Sequence, residues 1–475
     1  MNFTVTPSFI RVVGTKEELA WLREVLTFER PGAKYTKLYR MKRWDGKSRI
    51  FNTISKVFPV GLLAYVVSKG QGQKIEVNDT RNFPTVSIKA PELKTIELRN
   101  YQKAAITQCI EAGNCIVQAA TNAGKTAVFA GIIKNMYPNK TLVITHRAEL
   151  LKQTVKYLKQ YTGLDIGFIT STDVKLRPIT VAMITTLVNR IGADQEITDF
   201  FQDTKCIIID EVHHSQTTQY QAILGACKAP YRFGFSGTVP YEDTYHGMLV
   251  RSYLGSVVFT ITNDELIEMG ISARPKIFFY EVDLTERLRG IYDTAKQELE
   301  AELGAYTPQQ LMKRVYELTV HRGLVQNEER NEKVFEVLNR EADKSVLIVV
   351  DYIEHGEIIR DMLNRVIQAS FISGSAPNRS EDLERFKKGE LKILISTNII
   401  DEGLDISNIG ALVMLAGKKS RRQLLQRVGR SLRKKSGVNS VAIYDFIDYG
   451  SRYLEKHSQE RYSIYKKENF EIEFL

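Results

Sequence analysis

The stretch Ile116-Val117-Gln118-Ala119-Ala120-Thr121-Asn122-Ala123-Gly124-Lys125-Thr126 decides the fold class. An apolar strand runs into a loop that ends Gly-Lys-Thr and opens a helix. A loop in that position turns backbone N–H groups and a helix N-terminus toward phosphates. Lys125 supplies charge for the β- and γ-phosphates, and Thr126 offers a hydroxyl to Mg2+. Ala119, Thr121, Asn122, Ala123 and Gly124 complete the candidate nucleotide cradle. Ala119 stands where such loops usually begin with glycine, and Asn122 where glycine is also frequent. Taken alone, the segment also reads as a plain turn and helix cap.

On the C-terminal side of this stretch, short apolar runs alternate with amphipathic stretches. Strands are expected at Leu142–Ile144, Val181–Ile184, Cys206–Ile209 and Arg232–Phe235, and again at Ser345–Val350, Ala369–Ile372, Leu391–Ile395, Ala411–Leu415 and Val441–Tyr444. Strands spaced by helices imply parallel sheets, and the recurrence implies two α/β lobes. The expected organisation is an N-terminal domain at 1–92, lobe one at 93–282, lobe two at 283–448 and a tail at 449–475. Residues 285–330 read as a bridging helix in preference to an inserted helical pair.

Two further clusters carry chemistry. Asp210-Glu211-Val212-His213-His214 follows the run Cys206–Ile209. Carboxylates at the C-terminal edge of a parallel strand face the ligand crevice. Asp210 suits the Mg2+ shell, and Glu211 suits orienting and deprotonating a water. His213 is placed to link this site to the segment around Ser236. Chelation by His213 and His214 is disfavoured, because adjacent side chains diverge on most backbones. Gln426-Arg427-Val428-Gly429-Arg430-Ser431-Leu432-Arg433 places Arg430 and Arg433 on one helical face. Two guanidinium groups there suit the charge that develops on a γ-phosphate.

Gln102, Lys125, Asp210-Glu211-x-His213 and Gln426-x-x-Gly429-Arg430-x-x-Arg433 stand in the order and spacing of superfamily 2 DExH helicases. The resemblance covers about residues 95–450. It implies two tandem RecA-like lobes, with ATP and Mg2+ held between them, and ATP-driven work on nucleic acid. Leu98-Arg99-Asn100-Tyr101-Gln102 resembles the adenine-recognition motif, so Arg99 and Gln102 are nucleotide candidates. Thr145-His146-Arg147 and Thr185-Thr186 resemble the strand-tracking motifs of lobe one. Ser236-Gly237-Thr238 resembles the element that couples hydrolysis to lobe movement. Ser396-Thr397-Asn398 with Glu402-Gly403-Leu404-Asp405 resembles the lobe-two motif that meets both strand and nucleotide. The resemblance thus assigns Thr145, Arg147, Thr186 and Thr397 to the strand, Gly403 and Asp405 to the nucleotide, and Ser236 and Thr238 with His213 to coupling. Gln426 joins Arg430 and Arg433 in the catalytic set.

The charge is uneven. Of a net +10, residues 1–92 hold +8, from sixteen Lys and Arg against eight Asp and Glu. Lys34, Lys37, Arg40, Lys42, Arg43, Trp44, Lys47 and Arg49 form a basic and aromatic cluster suited to a duplex backbone. Trp44-Asp45-Gly46-Lys47, with Phe58-Pro59-Val60-Gly61-Leu62 after it, resembles the N-terminal domain of UvsW-type phage branch-migration helicases. That resemblance implies a bacteriophage origin and a branched duplex DNA partner in recombination, replication and repair. A core tryptophan beside an Asp-Gly turn is the alternative for Trp44. Hydrophobic content of 43% and four cysteines without metal or disulfide spacing imply a protein of a reducing cytoplasm. No membrane span or signal peptide is expected, and a monomer is. Three other readings remain: an RNA helicase, a restriction-type translocase without its nuclease, and a DNA-binding scaffold that does not hydrolyse ATP.

Overall fold

The computed structural model describes residues 1–374, 378–397, 409–417 and 440–475. They divide into two units, Met1–Ile261 and Thr262–Leu475.

The first unit begins with a four-stranded sheet in the order Val57–Pro59, Phe9–Val13, Asn2–Val5, Glu76–Asp79. Alternation buries Phe3, Val5, Ile10 and Val12 on one face. Helix Lys16–Val25 covers that face, started by a capping box between Thr15 and Glu18. An arm extends from it. The antiparallel strands Thr27–Glu29 and Lys47–Arg49 flank a short turn, Ala33–Tyr35, and a one-turn helix, Lys37–Arg40.

Lobe one is an eight-stranded sheet in the order Val174–Lys175, Ile166–Ile169, Ile179–Met183, Thr141–Thr145, Cys206–Asp210, Tyr231–Ser236, Asn114–Ala119, Val257–Ile261. Its pairings are parallel except for the hairpin at Val174–Lys175. Central strands such as Cys206–Asp210 are buried almost throughout, as parallel strands covered on both faces must be. The C-terminal ends of Asn114–Ala119, Tyr231–Ser236 and Cys206–Asp210 lie side by side, which collects their loops at one edge.

The N-terminal module has its own core, yet it is not a domain on a linker. Met248 of lobe one is part of that core. The Gly61 N–H donates to Ser252 O at 2.8 Å. A Cβ on Gly61 would lie 2.2 Å from Arg251 O, so two backbones touch here and only glycine fits. Arg232, fully buried, donates to Ser8 Oγ at 3.0 Å, Leu224 O at 2.8 Å and Ala229 O at 3.0 Å, and also to Cys227 O. The expected boundary at 92/93 lies along lobe one, with Lys94 N donating to Tyr161 O.

The second unit is a parallel seven-stranded sheet in the order Ala369–Ile372, Ile393–Ser396, Val346–Val349, Ala411–Met414, Ser440–Tyr449, Arg274–Asp283, Glu471–Phe474. Two expected boundaries move. Arg274–Asp283 pairs along ten residues with Ser440–Tyr449, so the division falls at 261/262 and not at 282/283. The expected tail is helix Arg452–Lys467 and edge strand Glu471–Phe474, anchored by Arg461 and Tyr465 on buried Asp445. Residues 285–330 hold two helices, Ile291–Leu303 and Pro308–Val320, and not one bridge. Ala295, Leu299, Leu311 and Val315 form a small core between them. Gly304 ends the first helix, and Thr307 with Gln310 caps the second.

Among the described residues, no helix is long and apolar enough to cross a membrane. All four cysteines are buried free thiols.

Candidate active site

The phosphate loop leaves the sheet at Ala119, still in extended strand, where glycine is not required. Asn122 takes φ 74°, a left-handed conformation that asparagine tolerates better than most residues, and Gly124 also has φ 74°. A Cβ on Gly124 would lie 2.5 Å from Gln102 Nε2. Gln102 is therefore a brace: its Nε2 donates to Ala123 O at 2.9 Å, and its Oε1 accepts from Arg99 N at 2.9 Å. Tyr101, which the sequence did not single out, donates its hydroxyl to the same Ala123 O at 2.9 Å. With Gln102 2% exposed, its amide faces the loop and not a base, unlike the expected adenine contact.

Lys125 opens helix Lys125–Met136, with Thr126 next to it. Its Nζ lies 3.5 Å from Ala119 O and 4.0 Å from Glu211 Oε1. Asp210 ends its strand. Burial, and then Glu211 beside it, pushes its carboxyl up to about 7, opposed by Lys125 and by the Glu211 N–H that Asp210 accepts at 3.0 Å. Glu211 itself has φ 53° and ψ 57°. A left-handed glutamate costs about 1–2 kcal/mol, and such strain collects at functional sites. The turn aims the carboxylate at Lys125 on one side and at His213 and Ser236 on the other.

His213 is buried, and its Nδ1 lies 2.9 Å from Ser236 Oγ and 3.2 Å from Glu211 Oε2. Ser236 Oγ lies 3.3 Å from Glu211 Oε2 and 2.9 Å from Thr238 O. Glu211, His213, Ser236 and Thr238 thus form one polar cluster beside the phosphate loop. His213 and His214 do not diverge: their rings lie 4.2 Å apart, and His146 lies 4.3 Å from His214. Among the described residues, no group of three or more His, Cys, Asp or Glu could hold a metal ion.

The strand-tracking residues need correction. Thr145 is 0% exposed and Thr186 6%, so neither hydroxyl reaches a strand from its present position. Thr145 closes its strand and donates to Arg147 O at 3.4 Å, which shapes the turn instead. Arg147, by contrast, is half-exposed. In lobe two, Thr397 is half-exposed at the end of strand Ile393–Ser396. Gly403, Asp405, Gln426, Arg430 and Arg433 lie outside the described residues.

On the arm, Lys34, Lys37, Arg40, Lys42, Arg43 and Lys47 are exposed, as are Tyr35, Leu38, Tyr39 and Met41. Arg49 is committed to Asp45. Trp44 is half-buried; its Nε1 donates to Lys47 O at 2.9 Å, and Arg30 lies over its ring at 5.9 Å. Its indole holds the arm's turn together and is not a core side chain.

Two family models match the chain: Type III restriction enzyme, res subunit, over residues 95–241, and Helicase conserved C-terminal domain over residues 329–435. The first spans the phosphate loop, Asp210, Glu211 and Ser236, and the second spans the Gly-Arg segment at 429–430. This chain is a superfamily 2 helicase. Its enzymatic class is that of an ATP-dependent helicase. A helicase of UvsW type, the ATP-dependent DNA helicase uvsW of Enterobacteria phage T4, is 22% identical over 98% of this chain and 96% of its own. That match takes in the N-terminal module. The DNA 3'-5' translocase XPB2 of Sulfurisphaera tokodaii is 26% identical over 83% of this chain and 90% of its own. Among solved structures, the DNA-bound Type ISP restriction-modification enzyme LlaBIII aligns with a TM-score of 0.57 at 15% identity, over 87% of this helicase and 34% of that chain. Dbp5 of S. cerevisiae aligns at 0.55 with 13% identity, over 79% and 89%. Both likenesses concern the two-lobed α/β fold.

Proposed function

We propose that this helicase is a DNA motor that remodels branched duplexes. In the hydrolytic step, water adds to the γ-phosphorus as the bond to the β-phosphate oxygen breaks, and Glu211 takes the proton. Lys125 shifts from its resting place near Glu211 to the phosphates. On the motif resemblance, the guanidinium groups of Arg430 and Arg433 are assigned to the charge on the γ-phosphate, Gln426 joins them as a neutral hydrogen-bonding group, and Gly403 and Asp405 are assigned to the nucleotide. Mg2+ would be held by Asp210 and Thr126 and would supply positive charge to the phosphates. Asp210 fits this use, since a cation relieves the buried carboxylate whose protonation is pushed up.

The observation that carries the branched-DNA reading is the basic arm fixed in one unit with the phosphate loop. Lys34, Lys37, Arg40, Lys42, Arg43 and Lys47 give that unit a second polyanion surface, distant in sequence from the strand-tracking turn at Arg147. A motor that grips one strand needs such a second contact to prefer a junction. The DNA-acting names of the T4 and Sulfurisphaera relatives support DNA over RNA. ATP hydrolysis is tested with single-stranded DNA, linear duplex, a fork, a four-way junction and an RNA duplex. Stimulation by DNA above RNA, with unwinding fastest on branched DNA, is expected. Equal stimulation by RNA overturns the reading.

A further inference from the structure

The histidines beside Glu211 do more than the hydrolytic step requires. His213 reaches Ser236 and Glu211. His214 sits against His213 with ring centroids 4.2 Å apart and planes at 49°. On its other side lies His146, at 4.3 Å and 38°. His146 stands between Thr145 and Arg147, at the turn where lobe one is expected to meet a strand. Three rings in van der Waals contact therefore join the catalytic carboxylate to the strand-tracking turn.

We propose that His214 and His146 are positioning residues that transmit strand binding at the Arg147 turn to Glu211. This rests on the function proposed above, in which Glu211 is the base and the turn meets DNA. Three features favour transmission over simple packing. Glu211 occupies a strained left-handed conformation, so a small displacement of the short turn Val212–Gln216 after it re-aims the carboxylate. His213 and Glu211 share Ser236 as a hydrogen-bond partner, so they move together. His146 is bound to the turn's own geometry, because Thr145 Oγ1 closes that turn on Arg147 O. Flat rings in contact pass a displacement that flexible side chains would absorb. Neither residue belongs to the phosphate loop or to the catalytic set, so basal hydrolysis is not expected to depend on them.

The test compares the full-length protein with His214→Ala, His146→Ala, the double variant, and His214→Phe and His146→Phe, which keep a flat ring. Basal turnover, turnover saturated with single-stranded DNA, and DNA affinity by fluorescence anisotropy are measured. The alanine variants are expected to keep basal turnover and affinity within about threefold and to lose about tenfold of the stimulation. The double variant should be no worse than either single one, because both break one path. The phenylalanine variants should retain more than half of the stimulation, which also shows that the site still folds. Unchanged stimulation in the alanine variants overturns the proposal, as does a loss of affinity that accounts for the lost stimulation. A wild-type enzyme that no nucleic acid stimulates overturns the underlying function as well, so the two failures are distinguishable.

Discussion

Arg232 of lobe one donates a hydrogen bond of 3.0 Å to Ser8 of the N-terminal module, inside a seam where the guanidinium is fully buried. Its other acceptors are backbone carbonyls, and burial lowers its proton affinity. The module therefore completes lobe one. Arg232→Ala is expected to cost about 3 kcal/mol or more by orphaning several carbonyls, and Ser8→Ala about 1 kcal/mol. Gly61→Ala, whose Cβ meets backbone atoms, should cost about 1–3 kcal/mol. Chemical denaturation checks all three. Losses under 0.5 kcal/mol would mean that the module is separable.

Glu211→Gln should lower ATP turnover by at least about 100-fold, the contribution expected of a general base, while DNA binding by anisotropy persists. Lys125→Ala should abolish turnover too. Glu211→Gly removes the base and the left-handed strain together, so it should be inactive yet more stable by about 1 kcal/mol. Steady-state hydrolysis and thermal melting are the readouts. An active Glu211→Gln enzyme removes the assignment of the base.

His355 gives lobe two an acid sensitivity. Its Nε2 donates to Asn331 Oδ1 at 2.9 Å, a geometry fixed because Asn331 Nδ2 donates to Val325 O. Burial, and then the nearby Arg330, pushes its pKa down to about 3. A depressed histidine contributes stability that is complete above about 6.5, the unfolded value. That contribution is lost as pH falls toward 3, at up to about 1.4 kcal/mol per unit. Denaturation at pH 7, 6 and 5 should show the decline in wild type and a flatter profile in His355→Gln. Identical profiles would contradict it.

The arm's contribution is electrostatic. Each phosphate contact adds about −0.9 to the slope of log affinity against log salt. Substituting Lys37, Arg40 and Arg43 with Ala should flatten the slope on duplex DNA by up to roughly 2–3 units. Single-strand-stimulated ATPase should survive, because these side chains lie outside the phosphate-loop cluster. An unchanged slope would place duplex binding elsewhere.

The legible parts of the fold were those with dense local signal. Cys206–Ile209 and Val346–Val349 are continuous apolar runs, and buried parallel strands read directly. Arg274–Asp283 was missed as a lobe-two strand because charged and apolar residues mix in it, and its partner lies more than 150 residues away. The helical pair at 291–320 hides its packing, since four small or aliphatic contacts leave most of each helix polar. At the site, Lys125, Asp210, Glu211 and His213 were visible because their chemistry requires those residue types. The bracing by Tyr101 and Gln102, the burial of Thr145 and the histidine contacts are products of tertiary packing. Arg232 gave no signal either, since all its acceptors but the Ser8 hydroxyl are carbonyls that carry no residue code.

A motor directed to branches by its basic arm should unwind junctions in proportion to that arm's charge. The most direct measurement is ATP-dependent unwinding of a four-way junction against a linear duplex of the same sequence, by wild type and by the Lys37, Arg40 and Arg43 triple alanine variant. Wild type is expected to favour the junction, and the variant to lose most of that preference while still hydrolysing ATP on single strands. Equal rates on both substrates in wild type, or undiminished junction unwinding by the variant, would contradict it.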